Sequence, residues 1–99
     1  MRKVYAVEMT SFVKMPGDEI KKEHRKFLRH QVENGKLKLA GRMLDNTGSF
    51  LVWEAGSLEE AKSLASSDPY FREGYTTFFM KGWDIFWNTF VEPPVTPEE

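Results

Sequence analysis

The fold follows most directly from residues 50–61, FLVWEAGSLEEA, which contain a strand followed by the start of a helix. Residues 50–53 are all apolar, and side chains alternate between the two faces of a strand, so both faces of this strand are apolar. Ser57, followed three residues later by Glu60, is a capping box and marks a helix N-terminus. A strand that is apolar on both sides predicts a sheet that is covered on both faces.

The remaining elements are predicted on either side of this stretch. They are a strand at Val4–Phe12, a helix from about Pro16 or Asp18 to Asn34 with Gly35 as its stop, strands at Lys36–Leu44 and Phe50–Ala55, a helix that starts at Ser57 and ends near Ser67-Asp68-Pro69, and a strand at Thr76–Trp87. The order βαββαβ predicts an α+β fold of ferredoxin-like type with a four-stranded antiparallel sheet. We assign residues 1–90 to one domain and residues 91–99, with three prolines and three glutamates, to a C-terminal tail.

The sheet is expected to have one face without helices. Right-handed crossovers place both helices on the same face, yet the third and fourth strands carry apolar residues on both. In the last strand, Phe79 and Trp83 oppose Phe78. We therefore expect the chain to form a homodimer through its sheet face. A ligand groove on that face is the alternative.

Composition limits the classes of function. The 99 residues carry a net charge of −1, which predicts no binding to nucleic acid, and no apolar run is long enough for a membrane span. Cysteine is absent, which excludes disulfides and thiolate chemistry and fits a reducing compartment, so we expect a cytoplasmic protein. No cofactor is expected, because phosphate-binding glycine loops are absent.

Two residues at inward positions of helices are candidates for chemistry. His24 lies in the middle of the apolar stripe of the first helix, and Asp68 lies where the stripe of the second helix would continue. A carboxylate that accepts from one imidazole nitrogen leaves the other nitrogen to act as a base or acid near neutral pH. A core histidine and an aspartate that caps a helix before Pro69 fit the same pattern, so both interpretations stay open. His30 falls on a different helix face from His24, so no metal site is predicted.

The chain resembles the YciI-like, or YCII-related, family of the dimeric α+β barrel superfamily. The resemblance extends from about residue 4 to residue 87 and rests on several short pieces in order. They are Tyr5, His24-Arg25-Lys26-Phe27-Leu28, Gly35, Gly41, Gly48, Ser57-Leu58-Glu59-Glu60-Ala61 and Asp68-Pro69-Tyr70. The chain departs from the family at Arg42, where many members have proline after the glycine of the second strand.

The resemblance implies that His24 and Asp68 form the active-site pair. It also implies a small-molecule ligand, a small organic acid or a lactone, since some relatives act on lactones and chlorinated ring-cleavage products. We expect Tyr5, Arg42 and Tyr70 to bind this substrate, although Tyr70 fits core packing equally well. An enzyme of acid–base type and a binding module without catalysis are the two functional hypotheses.

Overall fold

The computed structural model describes residues 3–90 of the chain, so the expected tail at 91–99 lies outside the described residues. The elements are β1 (Val4–Phe12), α1 (Asp18–Glu33), β2 (Leu37–Arg42), β3 (Gly48–Ala55), α2 (Leu58–Ser66), α3 (Pro69–Arg72) and β4 (Thr76–Trp83). The strands form one antiparallel sheet in the order β2-β3-β1-β4. The predicted ferredoxin-like α+β fold is confirmed, with the single turn of α3 as an addition.

Local signals set the ends of the helices. The Ser57 hydroxyl accepts a hydrogen bond from the Glu60 N–H at 3.0 Å, and the Glu60 carboxylate accepts from the Gly56 N–H at 2.8 Å. The capping box therefore forms as predicted and satisfies donors at the start of α2. At the end of α1, Gly35 has a φ of +75°, in the left-handed region that glycine adopts without strain.

The core lies between the helices and one face of the sheet. Ala6, Leu51 and Trp53 are buried on that face, and Ala61 and Ala65 of α2 pack against them. Phe27 and Leu28 of α1 complete this layer. The opposite sheet face, which we call the open face, exposes large apolar side chains to solvent: Phe79 is 59% exposed and Trp83 is 43% exposed.

The structure corrects two strand predictions. The last strand ends at Trp83 instead of Trp87, since Trp83 pairs with Tyr5 and the partner strand begins at Val4. The second strand contains a bulge: Leu37 pairs with Trp53 and Leu39 with Val52, so that Lys38 is an extra residue. Leu37 and Leu39 therefore lie on opposite faces, whereas uninterrupted alternation would place them on the same face.

Candidate active site

His24 reaches the site from the inward face of α1. Its neighbours on this face are Phe27 and Leu28, which belong to the core layer. The His24 side chain is only 17% exposed. The apolar periodicity of the helix therefore holds the imidazole at the edge of the core, with part of the ring still open to solvent.

Asp68 reaches the same point from the turn between α2 and α3. Its Oδ1 accepts a hydrogen bond from the Tyr70 N–H at 2.9 Å, which makes Asp68 the N-cap of α3, with Pro69 in the first turn. The same oxygen lies 2.8 Å from Nδ1 of His24. The helix cap and the His–Asp contact thus occur together, and the cap fixes the position of the carboxylate that faces the imidazole.

This contact determines which nitrogen of His24 is available. A carboxylate can only accept, so Nδ1 carries the hydrogen that Asp68 receives. Among residues 3–90, no hydrogen bond engages Nε2. Nε2 is therefore the nitrogen left to exchange a proton with a ligand.

Tyr70 covers one face of the imidazole. The two rings are stacked, with centroids 3.7 Å apart and planes 3° from parallel. Phe12 contacts Tyr70 edge-on at a centroid distance of 5.8 Å. Burial raises the pKa of the Tyr70 hydroxyl, and the charge of Asp68 adds to this effect. The stack fixes the plane of the His24 ring, so its nitrogens have defined directions.

A cleft of about 370 Å³ opens beside this pair, within the range of small-molecule sites. Its lining is apolar at Leu28, Leu51 and Phe12, and polar at Thr10 and Ser49. Three cationic residues also line it: Lys21, Arg25 and Arg42. Among the lining residues that the structure describes, Asp68 carries the opposite charge, and its Oδ1 is already engaged by His24. The charges of Lys21 and Arg42 therefore favour a small anionic ligand.

Arg42 lines the cleft because of the bulge in β2. After the extra residue Lys38, Ala40 pairs with Leu51 and Arg42 with Ser49, so Arg42 shares their sheet face. Without the bulge, Arg42 would lie on the open face. The structure thus brings together four of the residues expected at the site: His24, Asp68, Tyr70 and Arg42.

Tyr5 is not part of this arrangement. It pairs with Glu54 and Trp83, which places it on the open face, with the sheet between it and the cleft. There it lines a separate, shallow hollow with Trp83 and Phe86. Because side chains alternate along β1, the inward positions belong to Ala6 and Glu8. Within the single chain Tyr5 does not line this cleft, and its role in binding a substrate stays a prediction.

Sequence reasoning overlooked Glu8, a carboxyl inside the core that is 3% exposed. The Trp53 Nε1–H donates a hydrogen bond of 2.7 Å to its Oε1. Burial raises the pKa of the Glu8 carboxyl to about 7; the Trp53 hydrogen bond opposes this and the charge of Asp68 adds to it. The sequence did offer a sign of this residue. Glu8 shares a strand face with the apolar Ala6, and acidic side chains are rarely buried in a core.

The described part of the chain contains neither a cluster of metal-ligating residues nor a helix that could span a membrane. Residues 3–90 contain no group of three or more His, Cys, Asp or Glu residues that could hold a metal ion. Within the same range, no helix is both long and apolar enough to cross a membrane.

Three of the matches to known proteins describe what this chain is similar to. The sequence model of the YCII-related domain matches residues 1–79. The uncharacterized protein YjpA of Bacillus subtilis (strain 168) is 36% identical over 62 residues, which cover 63% of this chain and 73% of YjpA. A similar solved structure is that of the 5-chloro-2-hydroxyhydroquinone dehydrochlorinase TftG from Burkholderia phenoliruptrix AC1100 in complex with 2,5-dihydroxybenzoquinone. It has a TM-score of 0.61 and 23% identity, and the match covers 81% of this chain and 93% of that one. This last similarity concerns the fold.

Proposed function

We propose that this chain, which belongs to the YCII-related domain family, is a small enzyme that moves a proton on a small organic acid or lactone, with His24 as the base. The observation that carries the proposal is the orientation of His24. Its Nδ1 is bound to Asp68 at 2.8 Å, while the ring lines a cleft of about 370 Å³. Nε2 is then the nitrogen that faces a bound ligand.

The chemistry follows from these groups. Nε2 takes a proton from an acidic C–H or O–H of the ligand, and the resulting imidazolium is stabilised by the Asp68 carboxylate. Negative charge then develops on a ligand oxygen, and Arg42, Arg25 or Lys21 stabilises it from the cleft wall. The proton returns from Nε2 to another atom of the ligand or to a leaving group. This describes an isomerisation or an elimination.

The size and chemistry of the ligand are supported by two points. The cationic side chains of Lys21 and Arg42, which line the cleft, favour an anion. TftG, which shares the fold, was solved with 2,5-dihydroxybenzoquinone, a small ring rich in oxygen. A carboxylate, an enolate or a lactone of similar size suits the cleft of this chain.

The test is proton exchange with solvent. The protein is incubated in D₂O with a panel of small carboxylates, lactones and halogenated hydroxyquinones that have an acidic C–H, and deuterium uptake is measured by mass spectrometry. We expect His24→Gln to lower the exchange rate by roughly 10²–10⁴-fold, the usual contribution of a general base. His30→Asn, on an exposed part of the same helix, is the matched control and should leave the rate unchanged.

The alternative is a binding module without catalysis. The close stacking of His24 on Tyr70 is the observation in its favour, because a histidine with a purely structural role would make the same contact. The same panel separates the two functions. Saturable binding without any exchange or product, in the wild type and in His24→Gln alike, would support the binding module and contradict the enzyme.

We also propose that the partner of the open face is a second copy of this chain. This face exposes Phe79, Trp83 and Leu39, and the described residues provide no element that covers it. Sedimentation equilibrium at micromolar concentration should give a dimer. Trp83→Asp should convert it to a monomer, whereas Val32→Asp, an equally polar change at an exposed position of α1, should not. A monomeric wild type would contradict this proposal.

A further inference from the structure

The sheet floor of the cleft carries three polar side chains side by side. Thr10 of β1 pairs with Ser49 of β3, and Ser49 pairs in turn with Arg42 of β2. Residues that pair directly across antiparallel strands point to the same face of the sheet, so these side chains are neighbours on the face that the helices cover. All three line the cleft. We call them the polar row.

The two hydroxyl groups of the polar row have hydrogens to donate. The Thr10 Oγ1 accepts a hydrogen bond of 2.9 Å from the Ser49 backbone N–H, and a hydroxyl that accepts still has its own O–H as a donor. Within residues 3–90, no group accepts a hydrogen bond from the hydroxyl of Thr10 or Ser49. Both side chains are half-buried, so a ligand on this part of the floor meets two donors that are partly shielded from water.

The guanidinium of Arg42 is also available to a ligand. Asp45, the acidic residue nearest to it in the chain, accepts instead from Thr47, at 3.1 Å from the backbone N–H and 2.7 Å from the hydroxyl. In the described part of the chain, no ion pair or hydrogen bond engages the Arg42 side chain. A guanidinium presents its N–H groups as a planar fork, which matches the two oxygens of a carboxylate.

The lining beside the polar row is apolar. Ala40 and Leu51 pair with each other two residues further along β2 and β3, and Leu28 of α1 also lines the cleft. His24 lines it from the same helix. A ligand whose negative group lies on the polar row therefore has its carbon skeleton against apolar side chains, within the cleft that His24 shares.

We propose that the polar row is a carboxylate subsite, in which Arg42 binds both oxygens of a ligand carboxylate and the hydroxyls of Ser49 and Thr10 donate to them. The substrates are then small carboxylic acids, and neutral lactones are excluded from the class. Arg42 is exposed, so its charge alone discriminates little, and the two hydroxyls supply the direction. The inference rests on the proposed function for the reaction at His24, whereas binding of the carboxylate is measurable without it.

The first experiment compares benzoate with benzamide, two probes of the same shape of which only the first is charged. Affinities are measured with the full chain by isothermal titration calorimetry at millimolar probe concentrations. The wild type should bind benzoate roughly tenfold more tightly than benzamide. Arg42→Met keeps most of the aliphatic stem and removes the guanidinium, so it should weaken benzoate binding by roughly tenfold or more and leave benzamide binding unchanged.

Three further variants separate the subsite from a general effect of charge. Arg42→Lys keeps the charge but not the fork, so its affinity for benzoate should lie between those of the wild type and Arg42→Met. Ser49→Ala should weaken benzoate binding by roughly 2–10-fold, the usual contribution of one hydrogen bond. Arg72→Met is the matched control, because it makes the same change at an exposed arginine of α3 that does not line the cleft. It should leave both affinities unchanged.

Each outcome decides the proposal. Equal affinity for the two probes, no binding of either, or the same loss in Arg42→Met and Arg72→Met would overturn the subsite. A preference for benzoate that depends on Arg42, without proton exchange on any acid of the panel, would keep the subsite and overturn the proposed function. Exchange that requires His24 but is as fast on lactones as on acids, and that Arg42→Met leaves unchanged, would keep the proposed function and overturn the subsite.

Discussion

Replacing Glu8 by glutamine should change how the stability of the protein depends on pH. Glutamine keeps the shape of the side chain and the acceptor for Trp53, and removes only the ionisation. The pKa of Glu8 rises from an ordinary 4.5 to about 7 in the folded protein. Since each pH unit of difference in pKa corresponds to about 1.4 kcal/mol, this rise corresponds to roughly 3 kcal/mol of unfolding free energy.

The sign follows from which state binds the proton more tightly. The folded protein holds the Glu8 proton more tightly than the unfolded chain, so the contribution is fully present below pH 4.5 and is lost as the pH rises through about 7. The wild type should therefore lose stability between pH 4.5 and pH 8 relative to Glu8→Gln. Solvent screening should reduce this energy very little, because Glu8 is only 3% exposed.

Urea denaturation at a series of pH values measures this difference. Tryptophan fluorescence follows unfolding, and the protein concentration is held constant because dimer formation adds to stability. The quantity of interest is the unfolding free energy of the variant minus that of the wild type. This difference should increase by about 3 kcal/mol from pH 4.5 to pH 8. A difference that stays constant over the range would refute the assignment of a raised pKa to Glu8.

Two further predictions follow from other parts of the chain. Gly48→Ala should lower the unfolding free energy by at least about 2 kcal/mol in urea denaturation, because the new Cβ would overlap the Thr10 carbonyl oxygen. Gly41→Ala, with nothing within 4 Å, is its control. Deleting residues 92–99 should shift the melting midpoint by a few degrees at most, since this segment offers little apolar surface; a larger loss in calorimetry would mean that it packs on the rest of the protein.

Much of the fold was predictable from the sequence because its signals are local. The first strand was placed at Val4–Phe12, as found, by two-residue alternation. The capping box at Ser57 and the glycine stop at Gly35 set helix ends within a residue or two. The last strand was predicted too long because its apolar alternation continues beyond Trp83, whereas its length is limited by where β1 begins.

The site was predictable to a smaller extent. The sequence predicted inward helix positions for His24 and Asp68, and this placement together with the family resemblance was enough to predict them as a pair. The interpretations of Asp68 as a cap and as a partner of His24 were treated as alternatives. In the structure, Asp68 Oδ1 makes both contacts: it lies 2.9 Å from the Tyr70 backbone nitrogen and 2.8 Å from His24 Nδ1. No sequence pattern shows that one oxygen has both roles.

The sequence by itself determined the order of elements, the helix that carries His24 and the turn that carries Asp68, because each depends on residues within a few positions of one another. The tertiary structure alone decided the rest. The bulge at Lys38 turns Arg42 into the cleft, alternation along β1 places Tyr5 on the open face, and Trp53, 45 positions away in the chain, supplies the partner of Glu8. These features depend on strand register and on contacts between distant segments, which form only when the sheet and its helices pack together.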